Sequence, residues 1–161
     1  METRVGRLEI RELLGGLAII LGVNVLGSSP AFVVGSDTSW FAEPWFFPPG
    51  YVFSIVWTLL FTLMGVALVL VWQRGTHTRT VRIALAAFGL QFALNLLWTP
   101  VFFGLQRADL GLLVIGALWL ALVATIVAFD RISRLAAALL VPYLAWVSFA
   151  IVLNYTIYAG G

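Results

Sequence analysis

Five apolar stretches, each close to the ~20 residues that a helix needs to cross a bilayer, dominate this chain and leave it few ways to fold. Polar and charged breaks set the spans at roughly 10–34, 51–73, 80–105, 110–129 and 134–158. In hydrocarbon every backbone N–H and C=O must be satisfied within the protein, which only helices and closed barrels achieve. The stretches are continuous rather than alternating, so helices are expected. Of the 161 residues, 62% are hydrophobic and 10% charged. Soluble domains average roughly 45–50% and 25%. With a mean hydropathy of +1.05, the expectation is an all-α membrane protein, a five-transmembrane-helix bundle forming a single domain over residues 1–161.

Arg4, Arg7 and Arg11 precede the first stretch as they would in a secretory signal. The sequence "LLGGLAIILGVNVLGSSPAFVV" continues for a full bilayer thickness without a clear small-residue cleavage site, so a retained span is expected. The connections "QRGTHTR", "LQRAD" and "FDRIS" are short, which should make consecutive helices antiparallel neighbours. Asp109 and Ser133 stand where the N-caps of the fourth and fifth helices are expected. There is no lysine, and the arginines are unevenly placed. Arg4, Arg7, Arg11, Arg74, Arg79, Arg82, Arg131 and Arg134 fall on one side and only Arg107 on the other. The positive-inside rule then puts the amino terminus inside and the carboxyl terminus outside, in a membrane expected to be that of a prokaryotic cell.

Almost nothing ionisable lies within the spans, which argues against proton relays, ion-pair gates and voltage sensors. The absence of cysteine excludes disulfides, thiolate metal sites and a cysteine nucleophile. The single histidine, His77, sits in the loop "GTHT" without a second ligand at metal-binding spacing, so no metal site is expected. A net charge of +2 confined to helix ends gives no reason to expect nucleic acid. No internal repeat is visible, and an odd number of spans does not fit the paired-repeat design of many transporters.

The intramembrane polar residues fall in rows. Gln91, Asn95 and Thr99 share one face of the third helix, flanked by Trp98 and Phe102, while Asn24 and Ser28 share a face of the first. Trp146, Ala150 and Asn154 form a similar row on the fifth helix, and Trp57, Phe61 and Gly65 on the second. Such rows serve either to glue helices together or to line a pocket for a flat apolar ligand. Pro30, Pro100 and Pro142 lie inside spans one, three and five, where each removes a backbone bond and should kink its helix. Gly89 with Ala93, and Ala117, Ala121, Ala124 and Ala128, form small-residue faces that suit packing within the bundle or between copies.

The long connection, about residues 35–50, leads into "WFAEPWFFPPGYVFSIVW", with three tryptophans, four phenylalanines, a tyrosine and three prolines. An interfacial aromatic belt accounts for some of these rings. It does not require Pro44, Pro48 and Pro49, which stiffen the segment and hold it extended ahead of the second helix. A rigid aromatic loop at the mouth of a helix has the make-up of a lid.

The segments "WFAEPWFFPPGYVFSIVWTLLFTLMGVALVLVW", "ALNLLWTPVFFG" and "VPYLAWVSFAIVLNYTIY" resemble, in order, the signatures of the TspO/MBR family. These are tryptophan-rich sensory proteins whose mitochondrial members are called translocator protein or peripheral-type benzodiazepine receptor. The resemblance covers about residues 20–158. It implies a homodimeric five-helix receptor for tetrapyrroles such as protoporphyrin IX and haem, and for other flat hydrophobic molecules. The ligand would lie between the helices, beneath the loop joining the first two. Carried across motif by motif, the implied ligand-binding positions are Trp40, Phe41, Trp57, Phe61, Asn95, Trp98, Trp146 and Ala150, with Phe41 standing where the family usually has tyrosine. The resemblance further implies Trp57 and Trp146 as the residues that would react with an excited porphyrin. The sequence itself offers no acid–base pair, metal site or nucleophile for turnover, and no cofactor is required. Two alternatives to a receptor are a transporter of porphyrins or other amphipaths, and a light- and oxygen-dependent porphyrin-degrading protein. No basic residue follows Tyr143, Tyr155 or Tyr158, so the sterol motif of animal members is not matched there. Apart from such ligands, the partners expected are membrane lipid and a second copy of the chain.

Overall fold

In this computed structural model the backbone is described for residues 2–160 and the side chains for residues 9–160. Five helices cross the span: α1 (Glu2–Val34), α2 (Gly50–Trp72), α3 (Arg79–Thr99), α4 (Ala108–Asp130) and α5 (Arg134–Gly160). Each contains a segment long and apolar enough to traverse a membrane, and among the described residues there is no strand. The expected spans are thus found, with ends shifted by a few residues. Of the arginines that set the expected orientation, Arg4 and Arg7 lie outside the residues whose side chains are described.

The helix ends follow local chemistry. At the start of α3 the Thr78 hydroxyl accepts a bond from the Val81 amide at 3.4 Å, and Ser133 does the same for Ala136 at 3.2 Å at the start of α5, as expected of it. Asp109 is not the N-cap of α4. The helix begins one residue earlier, with Arg107 as its cap residue. Already in the first turn, the Asp109 carboxylate accepts two bonds from the Arg107 guanidinium, at 2.8 and 2.6 Å. α2 starts after Pro49, whose φ of −59° and ψ of 151° continue the extended loop up to the first helical residue.

Pro100 does more than bend a helix. Residues Pro100–Gly104 form a π-helical turn continuing from α3, with the Leu105 amide bonded to the Pro100 carbonyl at 2.9 Å. Without an amide hydrogen, Pro100 cannot continue the α-helical ladder. The wider turn takes up the extra residue and points Phe102 inward, where it is fully buried. Pro30 and Pro142 lie within α1 and α5, which run on as single helices.

Close backbone contacts join α1 to α2, α2 to α5, α5 to α4, α4 to α3 and α3 to α1. The helices therefore form a closed ring in the order α1, α2, α5, α4, α3, with a smaller contact between α2 and α3. The short loop between α2 and α3 joins the sequential pair that packs least, because α2 is occupied by α1 and α5. The ring encloses Met64, Phe88, Leu118, Leu122, Phe129, Leu140 and Tyr143, all buried.

α1 is held mainly at its contact with α2, and two glycines set how near it comes. A Cβ on Gly65 would lie 2.8 Å from the Ile20 Cα, and one on Gly27 would lie 2.5 Å from the Phe61 ring. Membrane helices gain little from apolar burial against one another, since lipid is equally apolar, so such close approach supplies much of the attraction. The opposite face of α1, including Leu14, Leu21, Val25 and Phe32, is exposed and would meet lipid.

Replacing Gly65 by valine is expected to force α1 and α2 apart and cost about 1–3 kcal/mol. Gly89→Ala, inside α3 at a position with open space around it, should cost nothing and raise stability by up to about 1 kcal/mol. Thermal unfolding of the two variants in detergent, followed by helical circular dichroism, checks the contrast.

Candidate functional site

Rows of side chains on α2, α3 and α5 meet beneath the loop between α1 and α2. On α2, Phe53, Trp57 and Phe61 recur at every fourth residue and so share a face. Trp57 stacks on Phe61 with ring centroids 5.3 Å apart and meets Trp146 of α5 edge-on at 6.5 Å. Phe53 meets Trp146 at 5.8 Å. From α3, Trp98 stacks on Phe102 of the π turn at 4.7 Å.

The loop joins these two groups. Trp40 and Phe41 pack against Phe102 at 5.0 and 5.7 Å. Phe41 touches Phe47 at 5.7 Å, and Phe47 touches Phe53 at 5.4 Å. An unbroken aromatic arc therefore runs from Trp98 through the loop to Trp146, Trp57 and Phe61. Every step lies within the 4.5–7 Å range in which ring pairs attract beyond their apolar contact. The three loop prolines and local bonds hold the loop in this shape. The Phe47 amide bonds to the Pro44 carbonyl at 2.9 Å, and Asp37 accepts bonds from the backbone and hydroxyl of Ser39 at 2.9 and 3.0 Å. Those two bonds also hold the Asp37 carboxyl below its ordinary pKa.

Polar side chains beneath the arc are engaged with one another. Asn95 Nδ2 donates to the Tyr143 hydroxyl at 2.7 Å, and that hydroxyl donates to Gln91 Oε1 at 3.0 Å. All three residues are buried, and they connect α3 to α5 across the middle of the ring. Nearer the loop, the Trp98 indole N–H donates to Asn154 Oδ1 at 3.1 Å, while Asn154 Nδ2 donates to the Ala108 carbonyl at 2.8 Å. Asn24 of α1 donates to Thr62 of α2 at 3.3 Å and to its own helix, and Ser28 bonds only to carbonyls of its own helix. These bonds show polar groups joining helices. Asn95 serves in that role, and its Oδ1 takes no bond from the described residues.

Of the eight residues expected at the site, Trp57, Phe61 and Trp146 lie in one group and Trp40, Phe41 and Trp98 in the other, linked through Phe102, Phe47 and Phe53. Asn95 sits one hydrogen bond away, through Tyr143, whose ring is 6.2 Å from that of Trp57. Ala150, half-buried one turn beyond Trp146, packs against the main core. The rings touch one another along the arc. Openings lie at the ends of the bundle. One, of about 540 Å³, is bounded by Trp40, Phe41, Ala108, Asp109 and Tyr158. Trp40 Nε1 is the one fully buried side-chain nitrogen or oxygen among the described residues without a hydrogen-bond partner.

Phe47, Phe53 and Tyr143 belong to the arrangement but escaped the sequence reading. Phe53 extends the row of Trp57 and Phe61 by one turn, and Tyr143 precedes Trp146 by three residues, so helical spacing carried both signals. Phe47 lies in an irregular loop, where no periodicity marks which ring turns inward.

Residues 17–159 match the TspO/MBR family. The chain is 40% identical over 146 residues to the tryptophan-rich protein TspO of Chlorobaculum tepidum, covering 88% of this chain and 92% of that protein. It is 38% identical to the protein of the same name from Archaeoglobus fulgidus, covering 94% and 97%. Identity to the human translocator protein is 38% over 131 residues, covering 79% of this chain and 78% of that one.

Tyr143→Phe is expected to destabilise the bundle by about 1–2 kcal/mol, because it leaves the buried amides of Gln91 and Asn95 without their shared partner. Reversible unfolding in mixed micelles checks the loss. The double variant Tyr143→Phe with Gln91→Leu should recover part of it.

Proposed function

The chain belongs to the TspO/MBR family, multi-pass membrane proteins, and from that membership we propose that it is a membrane receptor for tetrapyrroles and related flat hydrophobic molecules. The observation that carries this reading is the aromatic arc closed by the loop, with an unpartnered indole N–H on Trp40. Flat conjugated ligands bind where indole and phenyl rings offer large apolar faces and a few polar groups fix orientation. An unmade bond at a buried donor costs about 1–3 kcal/mol, which a ligand carboxylate or carbonyl placed at Trp40 would recover. Because the loop rings touch one another, the ligand enters by displacing some of them, Phe47 first, from between Phe41 and Phe53. Asn95 Oδ1 supplies a second polar contact, and Ala150 leaves room beside Trp146.

The arginine distribution supports an orientation with the amino terminus inside. Among residues 9–160, the end carrying the α2–α3 and α4–α5 loops holds Arg11, Arg74, Arg79, Arg82, Arg131 and Arg134 against Glu9, Glu12 and Asp130. The opposite end holds Arg107 against Asp37, Glu43 and Asp109. Gly89 and Ala93 are exposed on α3 and offer a small-residue face on which two copies would pair.

Protoporphyrin IX titrated into the detergent-solubilised protein is expected to shift its Soret band saturably. Trp146→Ala should weaken the affinity about tenfold through lost stacking, and Ala150→Leu should weaken it by filling the space beside Trp146. A shift that does not saturate, or that ignores both substitutions, would sink this reading.

A further inference from the structure

At the arginine-rich end of the bundle a groove of about 350 Å³ opens between the start of α3 and the end of α4, lined by Thr80, Ile83, Ala124, Val127, Ala128 and Arg131. Its composition is graded. Arg131 and Thr80 stand at the rim, at the level where the helices end, and both are exposed. Below them the small side chains of Ala124 and Ala128 leave a channel between Ile83 and Val127, which are 52% and 51% exposed at a depth where outward-facing residues meet lipid. The channel therefore opens sideways to hydrocarbon, and its mouth faces the headgroups. Arg79 and Arg82 flank the rim on α3, exposed, and make no ion pair among the described residues. Asp130 adjoins Arg131 in sequence but makes no ion pair with it and does not line the groove. First-turn amides of a helix lack acceptors within it, and those of Arg79 and Thr80 lie at this same end.

We propose that the groove holds one anionic phospholipid, with its phosphate against Arg131 and Thr80 and the upper part of an acyl chain between Ile83 and Val127. A basic pocket between membrane helices, at the headgroup level of the arginine-rich side, has the chemistry that retains such lipids. A soluble anion would use the rim and leave the apolar channel unfilled. A second copy of the chain fits the groove poorly, because two-fold pairing in a membrane brings the same end of each copy to the same depth, where Arg131, Arg79 and Arg82 would confront their equivalents. The site lies at the opposite end of the bundle from the aromatic arc and stands whether or not the arc binds a tetrapyrrole.

The test is native mass spectrometry of the full chain in detergent, with added phosphatidylglycerol or phosphatidylcholine of matched chains. One phosphatidylglycerol per chain should survive detergent exchange where phosphatidylcholine does not. Arg131→Gln should lower its retention about fivefold, Arg131→Lys should restore most of it, and Ala124→Leu should lower it by filling the channel with every charge intact. Arg74→Gln, outside the groove, should change nothing. Equal retention of the two lipids would overturn the proposal, as would retention indifferent to both Arg131→Gln and Ala124→Leu. Loss of a dimer on Ala124→Leu with phosphatidylglycerol still held would overturn it as well, assigning the groove to a contact between copies.

Discussion

The bundle depends on how five helices close into a ring without a hydrophobic force to drive them together. Lipid solvates apolar side chains as well as protein does, so closure relies on close packing and on polar groups that have no better partner. Tyr143 meets both needs. Its buried ring fills the centre, and its hydroxyl accepts from Asn95 while donating to Gln91. α3 and α5 are not neighbours in the ring, so this bridge spans its middle and fixes the spacing of the helices around it. Glycine performs the complementary task at the edge, where Gly65 lets α1 lie against α2.

That spacing positions the aromatic arc. Trp57 rests against Tyr143 and Trp146, so two of its neighbours lie on α5, whose depth is set by the central bridge. On the other side the π turn at Pro100 turns Phe102 inward, where it meets Trp98, Trp40 and Phe41. A regular α-helix through residues 100–104 would rotate Phe102 away and leave the loop without its anchor. A proline that reads as a defect in α3 is thus what fastens the loop to the bundle.

The spans, their number and the rows of polar and aromatic residues were legible because helical periodicity is written directly into a membrane sequence. The unread parts have a common cause. Asp109 met the pattern of an N-cap, but the pattern does not show that the helix has already begun at Ala108. The kink expected at Pro100 became a π turn, because the missing amide hydrogen breaks the α-helical ladder and the burial of Phe102 suits the wider turn. Ring order was also hidden: short loops made α2 and α3 look like principal partners, whereas α2 packs chiefly on α1 and α5. In the site, residues on helices were found by spacing, while Phe47 became visible only once the loop's path placed it between Phe41 and Phe53.

Followed bond by bond, the polar residues act as glue, and a pocket at the same residues belongs to the receptor proposed above. Asn95 holds α3 to α5 through its amide nitrogen, and its oxygen takes no bond from the described residues. In that proposed receptor the same side chain would do both, since glue fixes the geometry that recognition would use. What glue consumes, recognition cannot use, and most amide capacity here is consumed: Gln91 and Asn154 are bonded within the protein. In the receptor proposed above, selectivity would come from the shape of the aromatic faces and from the groups left open, among them Trp40 Nε1, Asn95 Oδ1 and the indole N–H groups of Trp57 and Trp146. Phe41 sharpens this, since a tyrosine in its place would add a hydroxyl beside Trp40. Such a receptor would tolerate many flat molecules and rank them mainly by how well each replaced the ring contacts that the loop makes with itself.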